Sequence, residues 1–329
     1  MFRTVRSEHE FFPLNAPFRI SRGVKTAADV VTITISEDGI SGRGEAVPYP
    51  RYGESVESSL AAVESVRDLI ERGGGRDVLL DALPAGAARN ALDCALWDLE
   101  ARLTGRDVQE MIGGQPIGPI ATALTVALDM PAAMADAAMA AGDVPILKVK
   151  VDARDPEAQI RAVRKSAPGA ILIVDPNESW DFDLLDAMQS VLVEEKVSLL
   201  EQPVPAGEDE FLEDFAPAVP ICADESIHVA ADLAIVARRY QAVNVKLDKT
   251  GGLTAALVLA REARAMGLGL MTGCMISSSL SIAPALHLAA MSDFVDLDGP
   301  FWLREDRPGG VGRDGGYIIP PSAGFWGTR

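Results

Sequence analysis

The amino-acid sequence predicts an α/β protein in which a barrel of parallel β-strands follows a smaller α+β unit. Two observations support this prediction. From about residue 120, short apolar runs alternate with amphipathic helical stretches, and polar residues at the ends of these runs recur every 22 to 27 residues. Before residue 115, strand-like segments come first and helical segments follow. The repeat is typical of βα units in a parallel sheet, whereas strands followed by helices indicate an α+β unit.

The first unit, predicted over residues 1–115, contains a hairpin and a long helix. Residues 29–47, DVVTITISEDGISGRGEAV, alternate apolar and polar side chains on both sides of Glu37-Asp38-Gly39, which is the pattern of a β-hairpin. Residues 88–105, ARNALDCALWDLEARLTG, place leucine and alanine at helical spacing and end in Gly105. We expect this unit to cap the barrel.

The second unit, predicted over residues 116–300, contains eight apolar runs: ATALTVAL, PILKVKV, AILIVDPN, VSLLEQP, PICADES, AVNVKLD, GLGLMTG and FVDLDGP. Eight strands of this kind predict a closed (β/α) barrel. An open, doubly wound sheet is the alternative, ranked lower because no glycine-rich phosphate loop follows the first strand. The tail, residues 301–329, is rich in Gly, Pro and aromatic residues and is predicted to pack back on the first unit.

Composition narrows the classes of function. The 329 residues are 48% hydrophobic and carry 30 basic and 48 acidic side chains, a formal charge of −18. Such an acidic chain argues against nucleic acid or an anionic membrane as a partner. No signal-peptide or membrane-spanning run is evident, and the three cysteines are scattered. We therefore expect a cytoplasmic protein with reduced thiols, and a homo-oligomer is left open.

Three successive predicted strands end in an acid: Asp175, Glu201 and Asp224. The active site of such a barrel lies at the C-terminal ends of its strands. Oxygen ligands from three adjacent strands form a hard-cation site that suits Mg²⁺, with water or substrate completing the octahedron. A single aspartate would be interpreted as a helix N-cap. Three in a row, framed by lysines and without His or Cys, favour Mg²⁺ over zinc.

Lys148 and Lys150 lie two positions apart in ILKVKVD, and Lys246 ends a later strand. Residues two apart in a strand face the same way, so both ammonium groups share one face. A lysine beside a second cation in a dry site can act as a base. We predict that Lys148 lowers the pKa of Lys150 and contacts an anionic substrate, while Lys150 and Lys246 face each other across it. The alternatives are a solvated ridge of charge and a surface lysine.

Lysines on either side of a Mg²⁺ site suggest a reaction at a carbon next to a carboxylate. Removal of that proton gives an enediolate, which Mg²⁺ and nearby ammonium groups stabilise. If one lysine takes the proton and the other returns it to the opposite face, the carbon is inverted. The predicted reaction is therefore racemisation or epimerisation, and a leaving group on the β carbon would instead allow elimination.

Five motifs occur together: K-x-K at Lys148 and Lys150, DPNESW with Asp175, EQP with Glu201, ADES with Asp224, and NVKLDKTGG with Lys246. This set resembles the enolase superfamily, muconate-lactonizing subgroup, over nearly the whole chain. The resemblance implies an α+β capping domain over a (β/α)₇β barrel, one Mg²⁺ on the three acids, and acid/base lysines at positions 150 and 246. Pro176 departs from the pattern, since relatives often have Ala, and is expected to affect the loop backbone.

A further motif, DLDGP at residues 296–300, is similar to the D-x-D signature of dipeptide epimerases. The resemblance implies that Asp296 and Asp298 hold the α-ammonium of a dipeptide, and two acids on one face suit a cation. A second metal or loop solvation is the alternative. EAVPYPRYGES and MTGCMISSSLSIA resemble the bacterial L-Ala-D/L-Glu epimerases, which implies that Arg22 receives the glutamate side chain. The loop around Tyr52 is expected to cover the site.

The sequence therefore predicts an isomerase: a Mg²⁺-dependent epimerase of L-Ala-D-Glu and L-Ala-L-Glu in the reuse of murein peptides, with a small-molecule dipeptide as its partner. Muconate cycloisomerase, o-succinylbenzoate synthase and N-succinylamino acid racemase are alternatives at the same site. Asp296 and Asp298 argue against them, because those substrates lack an ammonium group. A Schiff-base aldolase that is indifferent to EDTA, or a metal-binding protein without catalysis, represents a different class.

Overall fold

The structure, a computed structural model that describes residues 3–328, begins with a three-stranded antiparallel sheet and five helices. The hairpin turn falls at Asp38 and Gly39, both with positive φ, as the sequence predicts. These elements form the capping unit: β1 (Thr4–Ile20), β2 (Gly23–Glu37), β3 (Ile40–Ala46), α1 (Val56–Ser65), α2 (Arg67–Glu71), α3 (Arg76–Ala82), α4 (Ala87–Thr104) and α5 (Val108–Met111).

Helix α4 packs directly on strand β3 because two glycines in β3 allow the backbones to meet. A Cβ atom at Gly42 would lie 2.2 Å from the amide nitrogen of Leu99, and one at Gly44 would lie 2.1 Å from the carbonyl oxygen of Ala91. The helix ends at Gly105, whose left-handed conformation is typical of a helix C-terminus. The predicted helix over residues 88–105 thus matches α4 within one residue at each end.

A barrel of eight parallel strands follows the capping unit. The short strand β4 (Ile120–Ala121) precedes it. The barrel consists of β5 (Leu124–Val126), α6 (Pro131–Ala141), β6 (Ile146–Lys150), α7 (Pro156–Ser166), β7 (Ile171–Asp175), α8 (Phe182–Glu194), β8 (Val197–Glu201), β9 (Ile221–Ala223), α9 (Leu233–Arg239), β10 (Ala242–Val245), α10 (Leu247–Thr250), α11 (Leu253–Ala265), β11 (Gly269–Gly273), α12 (Ser279–Ala289) and β12 (Phe294–Asp296).

The strands neighbour one another in chain order from β5 to β12, without the reversal that a doubly wound sheet requires. A hydrogen bond of 2.7 Å from the Ala123 amide to the Val295 carbonyl links the first and last strands. Seven connections join eight strands, and the fourth contains a 3₁₀ turn, Glu210–Glu213, in place of an α-helix. This arrangement confirms the predicted (β/α)₇β barrel.

The tail forms β13 (Gly312–Asp314) and β14 (Tyr317–Ile319), a hairpin that pairs with β4. Beyond it, the Trp326 indole donates to the Arg43 carbonyl at 2.9 Å, and the Gly327 amide donates to Asp98 at 2.7 Å. The tail therefore contacts the capping unit. The division of the chain after residues 115 and 300 stays a prediction.

Inside the barrel, one layer of side chains is apolar and buried. We call it the floor ring: Ala123, Ile146, Ile173, Leu199, Cys222, Ala242 and Met271. Its members come from seven consecutive strands or their approaches, and most are less than 2% exposed. The three cysteines are free thiols. Within residues 3–328, every helix is too short or too polar to cross a membrane.

Candidate active site

A second ring of side chains, which we call the mouth ring, lies two residues after the floor ring on seven strands and is completed by Asp296 on β12. Residues two apart in a strand share a face, so the two rings line the same interior. The mouth ring is polar almost throughout: Thr125, Lys148, Asp175, Glu201, Asp224, Asn244, Gly273 and Asp296. It lies at the C-terminal end of the barrel, where active sites of this architecture are found.

The mouth ring opens into a cavity of about 410 Å³ beneath the capping unit, a size suited to a small ligand. Lys150 ends β6 and Lys246 follows β10, so the two lysines come from strands four places apart, on opposite sides of the barrel. Both line this cavity. Other members of its wall come from the barrel and from the capping loops: Lys148, Asp224, Asp296, Asp298, Phe18, Arg22, Lys25, Tyr49 and Tyr52.

The three acids predicted to bind a metal end β7 and β8 or follow β9, and all three are buried. Each contacts lysine ammonium groups. Lys148 Nζ lies 3.1 Å from Asp175 Oδ2 and 2.8 Å from Glu201 Oε2, although the latter atom has no hydrogen bond of good geometry. Asp175 Oδ2 also accepts from Lys150 at 2.5 Å, and Asp224 Oδ2 accepts from Lys246 at 2.6 Å.

These contacts shift the pKa values of Asp175 and Glu201 in opposite directions. Burial raises the pKa of Asp175, but Lys150 and Lys148 outweigh burial and bring it to about 2. Burial and the neighbouring Asp175 raise the pKa of Glu201 to about 7, and Lys148 only partly opposes them. Glu201 is therefore the acid whose negative charge is least compensated by this structure.

Two lysines of the cavity, Lys148 and Lys246, have raised pKa values. Burial favours the neutral amine of Lys148, but Asp296, Glu201 and Asp175 raise its pKa well above the ordinary value. Burial acts in the same way on Lys246, and Asp224 outweighs it. Both pKa values rise because each of these two ammonium groups lies within 3 Å of a carboxylate.

Two residues that sequence reasoning did not place in the site hold Asp224 in position. Lys249 Nζ donates to Asp224 Oδ1 at 2.6 Å and to the Asn244 carbonyl at 3.0 Å. Gln202 Oε1 accepts from the Asp224 amide at 2.8 Å. Both residues stand beside a predicted site residue in the sequence, in NVKLDK and EQP, and this adjacency was the available signal.

Asp296 is the last residue of β12, and Asp298 lies two positions later. Both line the cavity. Asp296 Oδ2 accepts from Lys148 at 2.8 Å, while its Oδ1 is buried without a hydrogen-bond partner. Asp298 Oδ2 accepts from the Thr125 amide at 2.7 Å and from the Trp302 indole at 3.2 Å. Burial, and then the charge of Asp296, raise the pKa of Asp298 to about 6. Lys148 therefore compensates the negative charge of this pair only in part.

Two capping loops lie over the cavity and carry Arg22 and Tyr52. Arg22 Nη1 donates to Glu178 at 2.8 Å, and Nη2 donates to Glu225 at 2.6 Å. The Tyr52 ring packs edge-on against His228, with 4.5 Å between ring centroids. Arg22 thus lines the cavity, but two carboxylates of the barrel loops already neutralise its charge.

The side chains present fit a hard divalent cation by their chemistry. Asp175, Glu201 and Asp224 offer only oxygen donors from three consecutive strands, and Glu201 Oε2 is a buried acceptor without a hydrogen bond. Within residues 3–328, no group of three or more His, Cys, Asp or Glu side chains is gathered tightly enough to enclose an ion. In this structure the three acids instead converge on the ammonium of Lys148 and its neighbouring lysines.

Comparison with family models decides the family. Residues 129–324 match the model described as enolase C-terminal domain-like, and residues 2–113 match the N-terminal domain of mandelate racemase and muconate lactonizing enzyme. The chain belongs to the enolase superfamily. Two curated superfamily relatives illustrate its range. The L-Ala-D/L-Glu epimerase of Escherichia coli is 48% identical over 92% of this chain and 95% of its own length. The N-acetyl-D-glutamate racemase of Pseudoalteromonas is 43% identical over 91% and 95%.

Solved structures of the superfamily superimpose on the whole chain. An enolase family member from Agrobacterium tumefaciens, with homology to dipeptide epimerases and with sodium and L-Ala-L-Glu bound, is 46% identical, with a TM-score of 0.96 over 98% of this chain and 99% of its own. The dipeptide epimerase of Methylococcus capsulatus, complexed with Mg and L-Arg-D-Lys, is 32% identical, with a TM-score of 0.87 over 98% of each chain. The capping unit and the barrel are thus arranged as in relatives that bind dipeptides.

Proposed function

We propose that this protein is a Mg²⁺-dependent dipeptide epimerase that interconverts L-Ala-L-Glu and L-Ala-D-Glu, and that it acts in the reuse of murein peptides. One observation supports the proposal above all others. Lys150 and Lys246 come from opposite sides of the barrel and line one cavity, with three buried acids between them in the strand order. Two amines on opposite walls suit the two faces of a single carbon.

Asp175, Glu201 and Asp224 would hold the Mg²⁺ ion. When bound, Mg²⁺ would withdraw electron density from the substrate carboxylate and so make the adjacent C–H bond more acidic. Lys249 and Gln202 would keep Asp224 oriented through the contacts described above. The A. tumefaciens and M. capsulatus structures support this assignment, because each contains a metal and a dipeptide.

Lys150 and Lys246 would carry the proton. The neutral amine of one lysine removes the α-proton of the second residue, and the ammonium group of the other donates a proton to the opposite face. The configuration of the α carbon is thereby inverted, and the next turnover in the reverse direction restores both lysines. The buried ammonium of Lys148 lies among Asp175, Glu201 and Asp296, where it would stabilise negative charge that develops on the substrate.

Asp296 and Asp298 would bind the free α-ammonium of the dipeptide. The unpartnered Oδ1 of Asp296 supports this assignment, because a buried acceptor without a donor gains most from a charged one. Tyr52 would help to exclude water over the cavity. The role of Arg22 in binding the substrate side chain stays a prediction, since its guanidinium group is engaged by Glu178 and Glu225.

A second candidate function is racemisation of an N-acylated amino acid, which the 43% identity to an N-acetyl-D-glutamate racemase favours. Such a substrate has no ammonium group for Asp296 and Asp298. The same lysines and acids would serve both reactions, so the buried pair of aspartates is the feature that separates them. We favour the dipeptide because both aspartates line the cavity.

The proposal is tested by incubating the purified protein with Mg²⁺ and L-Ala-L-Glu in D₂O. Chiral chromatography follows the appearance of L-Ala-D-Glu, and NMR follows deuterium at the α carbon of the second residue. We expect both signals, their loss with EDTA, and their return with added Mg²⁺. N-acetyl-L-glutamate is assayed in parallel. Deuterium incorporation into that compound but into no L-Ala-Xaa dipeptide would replace the proposal by the second candidate.

The proposal also covers the cellular compartment of the protein, its partners and its oligomeric state. We infer a cytoplasmic enzyme with a small dipeptide as its ligand and with neither nucleic acid nor membrane as a partner. The free thiols and the acidic composition support this inference. A homo-oligomer is compatible with it.

A further inference from the structure

The segment that follows Lys246 is held by the capping unit. The short helix α10 begins with the residue after Lys246, and helix α4 of the capping unit packs against α10 and the neighbouring α11. The side chains that α4 uses in this contact are buried and carry hydrogen-bonding groups: Arg89, Asn90, Asp93 and Trp97. The conformation of the chain just beyond one of the two proposed proton carriers therefore depends on the capping unit.

Asp248 is the centre of this contact. Its Oδ1 accepts from the Asn90 side chain on α4 at 2.9 Å and from the Val47 amide at 2.9 Å. Asp248 is 3% exposed and lies two residues after Lys246, while Val47 begins the loop that leads to Tyr52 over the cavity. One carboxylate oxygen thus joins three parts of the molecule, namely α4, the capping loop and the segment that follows Lys246.

Two glycines at the end of α10 allow α4 to come this close. Arg89 donates to the Thr250 carbonyl at 2.6 Å and to the Gly251 carbonyl at 3.1 Å, which gives partners to free carbonyl groups at the end of the helix. A Cβ atom at Gly251 would lie 2.4 Å from Arg89 Nε, and one at Gly252 would lie 2.4 Å from Asp93 Oδ2. The TGG end of the motif NVKLDKTGG is therefore explained by contact with the capping unit.

The segment that follows Lys150 is held in a different way. The Val151 amide donates to the Asp175 carbonyl at 3.2 Å. The Trp180 indole donates to the Asp152 carbonyl at 3.2 Å. These partners belong to the barrel. The two proposed proton carriers thus differ, because barrel residues hold the segment after Lys150, whereas residues of the capping unit hold the segment after the other lysine.

Removal of the Asp248 carboxylate would release this segment. A helix as short as α10 is not stable on its own, so the neighbouring elements decide where it lies. Without Asp248, the Val47 amide and the Asn90 side chain would each lose a buried acceptor, which favours a local rearrangement. A shift of about 1 Å at a reacting group can lower a rate by about 100-fold. Lys246 would therefore lose its alignment with the reacting carbon.

We propose that Asp248 is a positioning residue through which the capping unit sets the position of Lys246, without a comparable effect on Lys150. This inference rests on the proposed epimerase function, in which each lysine removes the α-proton of one epimer. It adds that the two proton transfers depend on different parts of the molecule. A change at Asp248 should therefore act on one epimer more than on the other.

The test measures the initial exchange of the α-proton in separate samples of L-Ala-L-Glu and L-Ala-D-Glu, by NMR in D₂O with saturating Mg²⁺. Lys246→Met first identifies the epimer whose exchange depends on Lys246. Asp248→Leu should lower the exchange rate of that epimer, relative to the rate of the other, by about 10- to 100-fold. Asp248→Asn keeps an acceptor oxygen for Val47 and Asn90, and should restore most of this ratio.

Thr254→Val is the matched control, because it cuts hydrogen bonds between α4 and the barrel at α11 instead of α10. The Thr254 hydroxyl donates to Asp93 at 2.6 Å and accepts from the Trp97 indole at 2.9 Å. We expect this variant to be less stable than wild type in urea, since buried partners lose a hydrogen bond. The ratio of the two exchange rates should nevertheless stay unchanged.

Asn90→Leu serves in place of Asp248→Leu if the latter does not fold. It removes the donor on α4 but leaves the Val47 amide on Asp248, so the ratio should shift in the same direction by a smaller factor. A ratio that is unchanged in the folded variants, that shifts towards the other epimer, or that shifts equally in Thr254→Val would overturn the inference with the epimerase function intact. If the wild type with Mg²⁺ exchanges the α-proton of neither epimer, the proposed function itself fails.

Discussion

The two rings inside the barrel are separated by only two residues on each strand, about 7 Å, yet they have opposite physical characters. The floor ring is apolar, closely packed and without charge. The mouth ring buries one lysine and four acids, and two of these acids have an oxygen without a hydrogen bond. Burial of apolar groups stabilises the fold, whereas burial of charge costs free energy unless every group is paired. Stability and chemistry thus occupy adjacent layers of the same strands.

The largest effect is expected from replacing one of the two lysines proposed to carry the proton, each of which lies two residues after a mouth-ring residue. Lys150→Met and Lys246→Met should each lower the rate of epimerisation by about 10²- to 10⁴-fold, the usual contribution of a general acid or base. In D₂O with Mg²⁺, each variant should still exchange the α-proton of one epimer with retention, because one lysine remains on one face. NMR of separate L-Ala-L-Glu and L-Ala-D-Glu samples measures this exchange.

The two variants should exchange opposite epimers, which makes each the control for the other. Circular dichroism checks that both remain folded, as expected because Asp175 and Asp224 each keep a second lysine partner. Exchange of the same epimer by both variants would show that the lysines do not face opposite sides of the carbon.

The next effect concerns the floor ring and should appear in stability. Leu199, 1% exposed, lies two residues before Glu201, and Leu199→Ala should lower the free energy of unfolding by about 2–5 kcal/mol through lost contacts and a cavity. Urea denaturation measures the change. Val193→Ala on α8, where the side chain is 53% exposed, is the matched control and should change stability by no more than about 0.5 kcal/mol.

The activity of the folded Leu199→Ala variant tests the same difference between the floor ring and the mouth ring. We expect kcat of Leu199→Ala to change by less than about tenfold, because the floor side chain touches neither substrate nor proton and its deletion leaves the acids in place. A large fall in kcat without a fall in stability would mean that the two rings do not divide stability and chemistry in this way.

The sequence predicts the barrel and the mouth ring well because both follow from local periodicity. A repeat of strand and helix fixes the order of the strands, and position along a strand decides which side chains reach its end. Asp175, Glu201 and Asp224 therefore lie on neighbouring strands as predicted. The roles assigned to these residues stay proposals that the experiments above address.

The sequence could not predict the ionic partners of individual side chains, because these depend on how separate elements pack together. Arg22 and Lys25 are three residues apart on one hairpin. Arg22 forms ion pairs with two carboxylates, whereas Lys25 lies over the Tyr49 ring and forms no ion pair among the described residues. Their environments are created by barrel loops more than 150 residues away, such as the loop that carries Glu178 with a positive φ. The raised pKa of Lys246 is similar, because it arises from a side chain on the neighbouring strand.

The smallest effect tests the free-energy cost of burying Asp298, which lies two residues beyond the mouth-ring residue Asp296. Its pKa is about 6 in the fold against an ordinary 3.8, so between pH 4 and 6 the folded protein binds more protons than the unfolded chain. Stability from this group therefore falls as pH rises through that window, by up to about 3 kcal/mol. Asp298→Asn removes the charge but keeps an acceptor for Thr125, and should be more stable than wild type at pH 8.

Thermal or urea denaturation at pH 4, 6 and 8 measures this difference, which should shrink towards zero at pH 4. The exposed Asp143→Asn is the control and should show no such trend. The same Asp298→Asn variant should turn over L-Ala-L-Glu more slowly, because the α-ammonium loses a charged partner, so stability would rise as activity falls. A variant that is less stable than wild type at pH 8 would contradict the view that the buried charge of Asp298 lowers stability, because that charge would then be a net stabiliser.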